Sequence, residues 1–291
     1  IKIMNELLEI DPKNRTALNN KGLALQDLKK NEEAIECFDS ILEMDEINSN
    51  VFLEEDISQK SEKELSESTK KMLETDWANS IDALLNKAKL LNNLKRFDEA
   101  VECTRIGVML TTQILMGKIT IEGKSAEDVQ RKLESVIADF FIVNGFALSS
   151  LHKFEEAVKR FDSAYGCNKK DPQPLLGKSV ALFMLEKYEE AINCIDEAEK
   201  LGNEFLQENS KEAQKNNDSV NFLKATCLNR LDKFEEALEC FEKCSNDEIP
   251  ATIICEKGIT FGNLERNEEA LECFEKVLEK EPNDINALKN K

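Results

Sequence analysis

Phe234-Glu-Glu-Ala-Leu-Glu-Cys-Phe241 returns almost letter for letter as Asn267-Glu-Glu-Ala-Leu-Glu-Cys-Phe274. Close variants occur at Asn31-Glu-Glu-Ala-Ile-Glu-Cys-Phe38, Phe97-Asp-Glu-Ala-Val-Glu-Cys103, Phe154-Glu-Glu-Ala-Val-Lys-Arg-Phe161 and Tyr188-Glu-Glu-Ala-Ile-Asn-Cys194. Apolar residues three and four apart describe one face of a helix, and the leading carboxylates complement its positive end. The shared alanines Ala34, Ala100, Ala157, Ala191, Ala237 and Ala270 are spaced 66, 57, 34, 46 and 33 residues apart. A unit of 33 or 34 residues, interrupted by insertions, signals a stacked-repeat architecture.

Twelve residues before each alanine stands a small residue, namely Gly22, Ala88, Gly145, Ser179, Ala225 and Gly258, with a large apolar residue three places on. The small residue predicts a close approach by the neighbouring helix, and the large one fills the space between them. Each unit therefore reads as helix, tight turn, helix. The turns fall at the Lys-Lys, Lys-Arg, His-Lys, Glu-Lys, Asp-Lys and Glu-Arg pairs before the alanine phrases. One such unit cannot bury its apolar face alone, and stacking closes the core.

This pattern resembles the tetratricopeptide repeat, which has small residues at positions 8 and 20, an aromatic at 24 and often proline at 32. Position 24 holds Phe38, Phe161, Phe241 and Phe274, with Thr104 and Ile195 departing from the pattern, and position 32 holds Pro12 and Pro282. The family's tryptophan at position 4 is absent, and Asn221 stands there in the fifth unit, the weakest match. The resemblance implies an all-α, right-handed superhelical solenoid of antiparallel helix pairs. Repeats are expected at about 15–48, 81–114, 138–171, 172–205, 218–251 and 251–284 of a single array spanning 1–291. Residues 1–14 and 285–291 read as parts of further repeats, so the chain is expected to come from a longer array. The insertions are 49–80, 115–137 and 206–217. The first reads equally as a degenerate helical unit or a linker, since its Ser, Glu and Lys composition does not separate the two. Trp77 is expected to anchor the return to regular packing. Ser125-Ala-Glu-Asp128 reads as a capping box that extends the next helix backwards.

Lys plus Arg number 39 against 58 Asp plus Glu, a net charge of −19. An acidic surface repels nucleic acid and anionic lipid, and it serves solubility or attracts basic partners. No apolar run reads as a membrane span. Residues 1–10 read as a helix already under way rather than as a signal peptide. Nine cysteines lying in helical patterns point to a reducing, cytoplasmic setting.

Signals for chemistry are weak. Cys37, Cys103, Cys194, Cys240 and Cys273 share one repeat position, which reads as packing by a small hydrophobe. Cys240 and Cys244 share a helix face, but with His152 the only histidine and far off in a turn, no metal site is expected. Gly177-Lys178-Ser179 lacks the earlier glycine of a phosphate loop, and Gly117 to Gly123-Lys124-Ser125 has the wrong spacing. Recurrent pairs such as Glu235-Glu236 open helices rather than form two unlike catalytic environments. No enzyme activity and no cofactor are expected.

In the family, first helices line a concave groove through positions 2, 5, 9, 12 and 13. By that resemblance Ile142, Phe146, Leu176, Val180, Phe183, Met184 and Phe222 are expected to form one apolar patch. Lysine and asparagine at positions 5 and 9, which some members use to hold a carboxyl terminus, are mostly missing. The resemblance implies a protein-interaction scaffold that holds a peptide or helical segment of a partner. Neither nucleic acid nor membrane is an expected partner. The alternative is a structural repeat module attached to a catalytic or membrane domain outside the chain. Self-association through open repeat ends is a third expectation. The patch has two readings at this stage: burial by a partner, or by insertion 115–137 or chain beyond the segment.

Overall fold

A computed structural model describes residues 1–44, 47, 67–116, 126–205, 211–244 and 250–291. These form helices alone, with no strand among the described residues. In chain order they are α1 (Lys2–Ile10), α2 (Arg15–Asp27), α3 (Asn31–Met44), α4 (Glu67–Asn93), α5 (Phe97–Leu115), α6 (Ala126–Ser150) and α7 (Phe154–Cys167). There follow α8 (Gln173–Met184), α9 (Tyr188–Phe205), α10 (Lys211–Arg230), α11 (Phe234–Glu242), α12 (Ala251–Asn263), α13 (Asn267–Lys280) and α14 (Ile285–Asn290). The helices gather into two compact units, Ile1–Lys169 and Lys170–Lys291.

Six turns build the pairs α2–α3, α4–α5, α6–α7, α8–α9, α10–α11 and α12–α13, all in the same way. Lys29, Lys95, His152, Glu186, Asp232 and Glu265 each sit near φ +60°, the left-handed conformation that usually calls for glycine. The next N–H reaches back five residues: Lys30 N to Leu25 O, Arg96 N to Leu91 O, and the same at Lys153, Lys187, Lys233 and Arg266, all at 2.9–3.0 Å. This satisfies a carbonyl at the end of the first helix and sets the chain on its return course. The residue after the turn is always basic and faces the positive end of the second helix, where a cation is disfavoured. Glutamate three residues on answers it: Lys30–Glu33 at 2.8 Å, Arg96–Glu99 at 2.6 Å and Lys187–Glu190 at 3.7 Å, with Arg266 paired to Glu269 as well. The hydrogen bond from Arg96 holds the Glu99 carboxyl below its ordinary pKa of 4.5.

All six alanines lie inside, none more than 5% exposed. Glycine at position 8 lets an aromatic ring lie against backbone: a Cβ on Gly22 would meet Phe38 Cε1 at 2.6 Å, on Gly145 Phe161 Cε1 at 2.7 Å and on Gly258 Phe274 Cε1 at 2.8 Å. The second pair has Thr104 where four of the others have phenylalanine. There Phe140, supplied by α6, presses on Gly107 of α5. In unit 1, α4 packs on both α2 and α3, so the second helix pair stacks directly on the first despite the insertion. Residues 49–66 of that insertion lie outside the described residues, while 67–80 forms the first half of α4. Trp77 is 3% exposed in this extension, with the Lys132 ammonium 5.2 Å from its ring centre. Likewise α6 starts at Ala126 and α10 at Lys211, ahead of the repeats they serve. Ser125, which would cap α6, lies outside the described residues.

One sequence expectation needs correction. Val129–Ser150 of α6 is long and apolar enough to cross a bilayer by length and composition. Most of it is buried against α4, α5 and α7, and packing accounts for its composition.

Candidate interaction face

The first helices of each unit lie side by side: α2 contacts α4 and α4 contacts α6 in unit 1, while α8 contacts α10 and α10 contacts α12 in unit 2. The two faces differ in chemistry.

In unit 1 polar pairs stitch neighbouring helices together. Asn79 Nδ2 donates to Thr16 Oγ1 at 3.3 Å, Asn86 Nδ2 to Asn19 Oδ1 at 3.1 Å and Asn92 Nδ2 to Val143 O at 3.0 Å. Lys89 lies 3.7 Å from Asp139. Ile142 is only 4% exposed, because α6 is covered by α4, α5 and α7. It is not a surface residue, contrary to its expected place in the patch. Phe146 is 39% exposed and rests edge-on against Phe161, ring centres 5.2 Å apart.

In unit 2 the same positions carry an apolar stripe. Along α8, Leu176 and Phe183 are half-buried, while Val180 and Met184 are 46% and 48% exposed. Val180 lies four residues after Leu176, three before Phe183 and four before Met184, which puts these side chains on one helix face, about 12 Å long at 1.5 Å per residue. Phe183 is braced by Tyr188 at 5.6 Å. Phe222 on α10 is half-buried, 6.3 Å from Phe241, and belongs largely to the core. Beyond it Asn229 Nδ2 donates to Thr260 Oγ1 of α12 at 2.8 Å. Among the groove positions of α8, α10 and α12 the single charge is Arg230, at the end of α10.

Among the described residues no three His, Cys, Asp or Glu side chains cluster as a metal site would need. Cys37, Cys103, Cys194, Cys240 and Cys273 are all buried, and no disulfide joins them. Burial pushes the Cys103 thiol up from 9.0 to about 11, with Lys87 opposing. Cys37, Cys240 and Cys273 are raised for the same reason. Such thiols stay protonated and act as packing groups.

Sequence reasoning missed a set of ion pairs between successive helix pairs. Lys87 of α4 pairs with Asp39 of α3. Lys224 of α10 lies 2.5 Å from Asp196 and 3.3 Å from Glu199, both on α9. Lys291 lies 3.1 Å from Glu275 of α13. The signal was available, since each lysine stands just before the small residue of position 8, or at the equivalent place after α14 begins.

The comparisons with known proteins accord with this geometry. A model described as tetratricopeptide repeat matches residues 16–48, 81–105, 218–246 and 251–284. The matches fall on α2–α3, α4–α5, α10–α11 and α12–α13. The phrases at Ala157 and Ala191 lie outside them, yet α6–α7 and α8–α9 have the same turn and the same buried alanine. No curated protein matches the chain in sequence. Among solved structures, the Cut9–Hcn1 hetero-tetramer of the APC/C superposes with a TM-score of 0.63 at 15% identity, over 99% of this chain and 44% of that one. PilF of Pseudomonas aeruginosa gives 0.58 at 13% identity, covering 94% of this chain and 95% of its own. YrrB, described as a TPR protein with an unusual peptide-binding site, gives 0.51 at 19% identity, covering 71% and 89%. At these identities the likeness is one of fold. Six equivalent helix pairs and six buried alanines give the chain the fold of tetratricopeptide-repeat proteins, and four of its repeats match that family's model.

Proposed function

We propose that the chain is a protein-interaction scaffold and that an apolar segment of a partner seats on α8, between Leu176 and Met184. The observation that carries this reading is the exposed stripe of Val180 and Met184, flanked by half-buried Leu176 and Phe183. Methionine and valine at a helix surface offer adaptable apolar contact, and a stripe of two turns suits two or three anchor side chains of a helix or short strand. The description of YrrB as a peptide binder supports the class of function, though not the site. Phe146 offers a separate exposed aromatic in unit 1. Ile142, 4% exposed, is left out of the proposed contact surface.

Val180→Asp and Met184→Asp place a charge in the stripe without touching the core. Each is expected to lower recovery of cross-linked partners from native extract by about tenfold, the cost of desolvating one misplaced charge. Full recovery with both substitutions present, in a chain whose circular dichroism is unchanged, overturns the site.

A further inference from the structure

Three insertions interrupt the series of repeats: 49–80 before the second, 115–137 before the third and 206–217 before the fifth. The six tight turns fix the register within each helix pair, and contacts at the seams contribute the register between pairs.

At two of these seams the same two positions meet. Lys87 and Lys224 stand at position 7 of a first helix, and their partners Asp39 and Asp196 at position 25 of the preceding second helix. Both lysine side chains are only 18% exposed, so water competes less for the ammonium than at an ordinary surface pair. Burial opposes the Lys224 charge, yet the hydrogen bond to Asp196 and the Glu199 carboxylate outweigh it, and its pKa is raised. Lys291 and Glu275 meet at the same two positions after α13.

Across the sequence, position 7 is lysine at 21, 87, 178, 224, 257 and 291, and Asn144 alone departs. Position 25 is acidic at Asp39, Asp162, Asp196, Glu242 and Glu275, and Arg105 alone departs. Asn144 and Arg105 belong to the same seam, the one crossed by 115–137. Both sides have changed together. Asn144 Nδ2 donates to Thr104 Oγ1 at 2.6 Å, and Arg105 turns to Glu102 on its own helix. A neutral hydrogen bond takes the place of the ion pair, and Phe140 of α6 lies against Gly107 of α5. At the seam before α12, which no insertion interrupts, Lys257 lies instead 5.7 Å from the Phe261 ring.

We infer that position 7 and positions 24 and 25 of the preceding repeat form a register key that seats α6 on α5 and keeps α4 and α10 off it. The key is charged at the seams crossed by 49–80 and 206–217 and neutral at the seam crossed by 115–137. A first helix offered to the wrong neighbour sets lysine against Arg105, or leaves a half-buried carboxylate without its cation, and like-charge or unpaired contacts are what reject wrong partners.

Charge swaps in the full chain test the inference, read by amide hydrogen exchange of the helices at each seam. At about 0.05 M NaCl, Lys87→Asp is expected to speed exchange in α3 and α4 about tenfold, and adding Asp39→Lys to restore it to within about twofold. Lys87→Asp combined instead with Asp196→Lys leaves the α3–α4 seam unrepaired. At about 1 M NaCl, where the Debye length falls to about 3 Å, the difference between swap and single change shrinks. Lys87→Met keeps the apolar stem and serves where the reversed charge prevents folding, with faster exchange again expected. A swap as damaging as its two single changes taken together, or Lys87→Met with unchanged exchange, overturns the key.

Discussion

At the scale of the residue, the six turns hold the most informative departure from expectation. A left-handed residue at the end of a helix ordinarily calls for glycine, because a Cβ there crowds the backbone. This chain uses lysine, histidine, glutamate and aspartate at those places. The turn pairs were legible as charged doublets between two helical patterns, but the positive φ was not, because none of them is glycine. Lys95 is exposed and at φ +62°, so Lys95→Gly is expected to raise stability by about 0.5–1 kcal/mol, with Lys95→Ala giving no gain. Urea unfolding of the two variants checks this. The buried thiols illustrate the opposite case. Their shared position predicted packing, and burial is what the structure shows at all five.

At the scale of the element, the second and third helix pairs part from the rest. Thr104 replaces the usual aromatic, and Phe140 of the following helix fills that role against Gly107. The sequence displays Thr104 as a mismatch. It does not reveal that a ring from another helix compensates, because that pairing crosses 115–137 and has no fixed spacing. A Cβ on Gly107 would lie 2.2 Å from Phe140 Cζ, in a site where Phe140 is fully buried. Gly107→Ala is therefore expected to cost about 1–3 kcal/mol in overpacking, against alanine's advantage of about 1 kcal/mol in a helix. Gly166, with no atom within 4 Å of its would-be Cβ, supplies the control, and Gly166→Ala should be neutral or stabilising. Thermal unfolding of the pair distinguishes packing from propensity, and recovery by Phe140→Leu in the Gly107→Ala chain confirms the ring as the cause.

At the scale of the whole molecule, the period and the alanine phrases made the helix pairs legible, since stacking a 33- or 34-residue unit leaves few other ways to bury six equivalent faces. The interaction face was legible only in outline. Groove positions name the side of a helix, but exposure depends on what the neighbouring helices cover. Ile142 and Val180 occupy positions 5 and 9 of their repeats and both are aliphatic, yet one is buried beneath the neighbours of α6 and the other stands 46% exposed on α8. The polar stitching of α2, α4 and α6 was equally invisible, because Asn19 and Asn86 are 67 residues apart. The account's central claim is that partners meet the α8 stripe. A photo-cross-linking residue placed at Val180 tests it most directly, compared with one at exposed Glu189 at the start of α9. The account predicts that Val180 yields a discrete partner adduct in native extract and Glu189 does not. Adducts from Glu189 alone would contradict it.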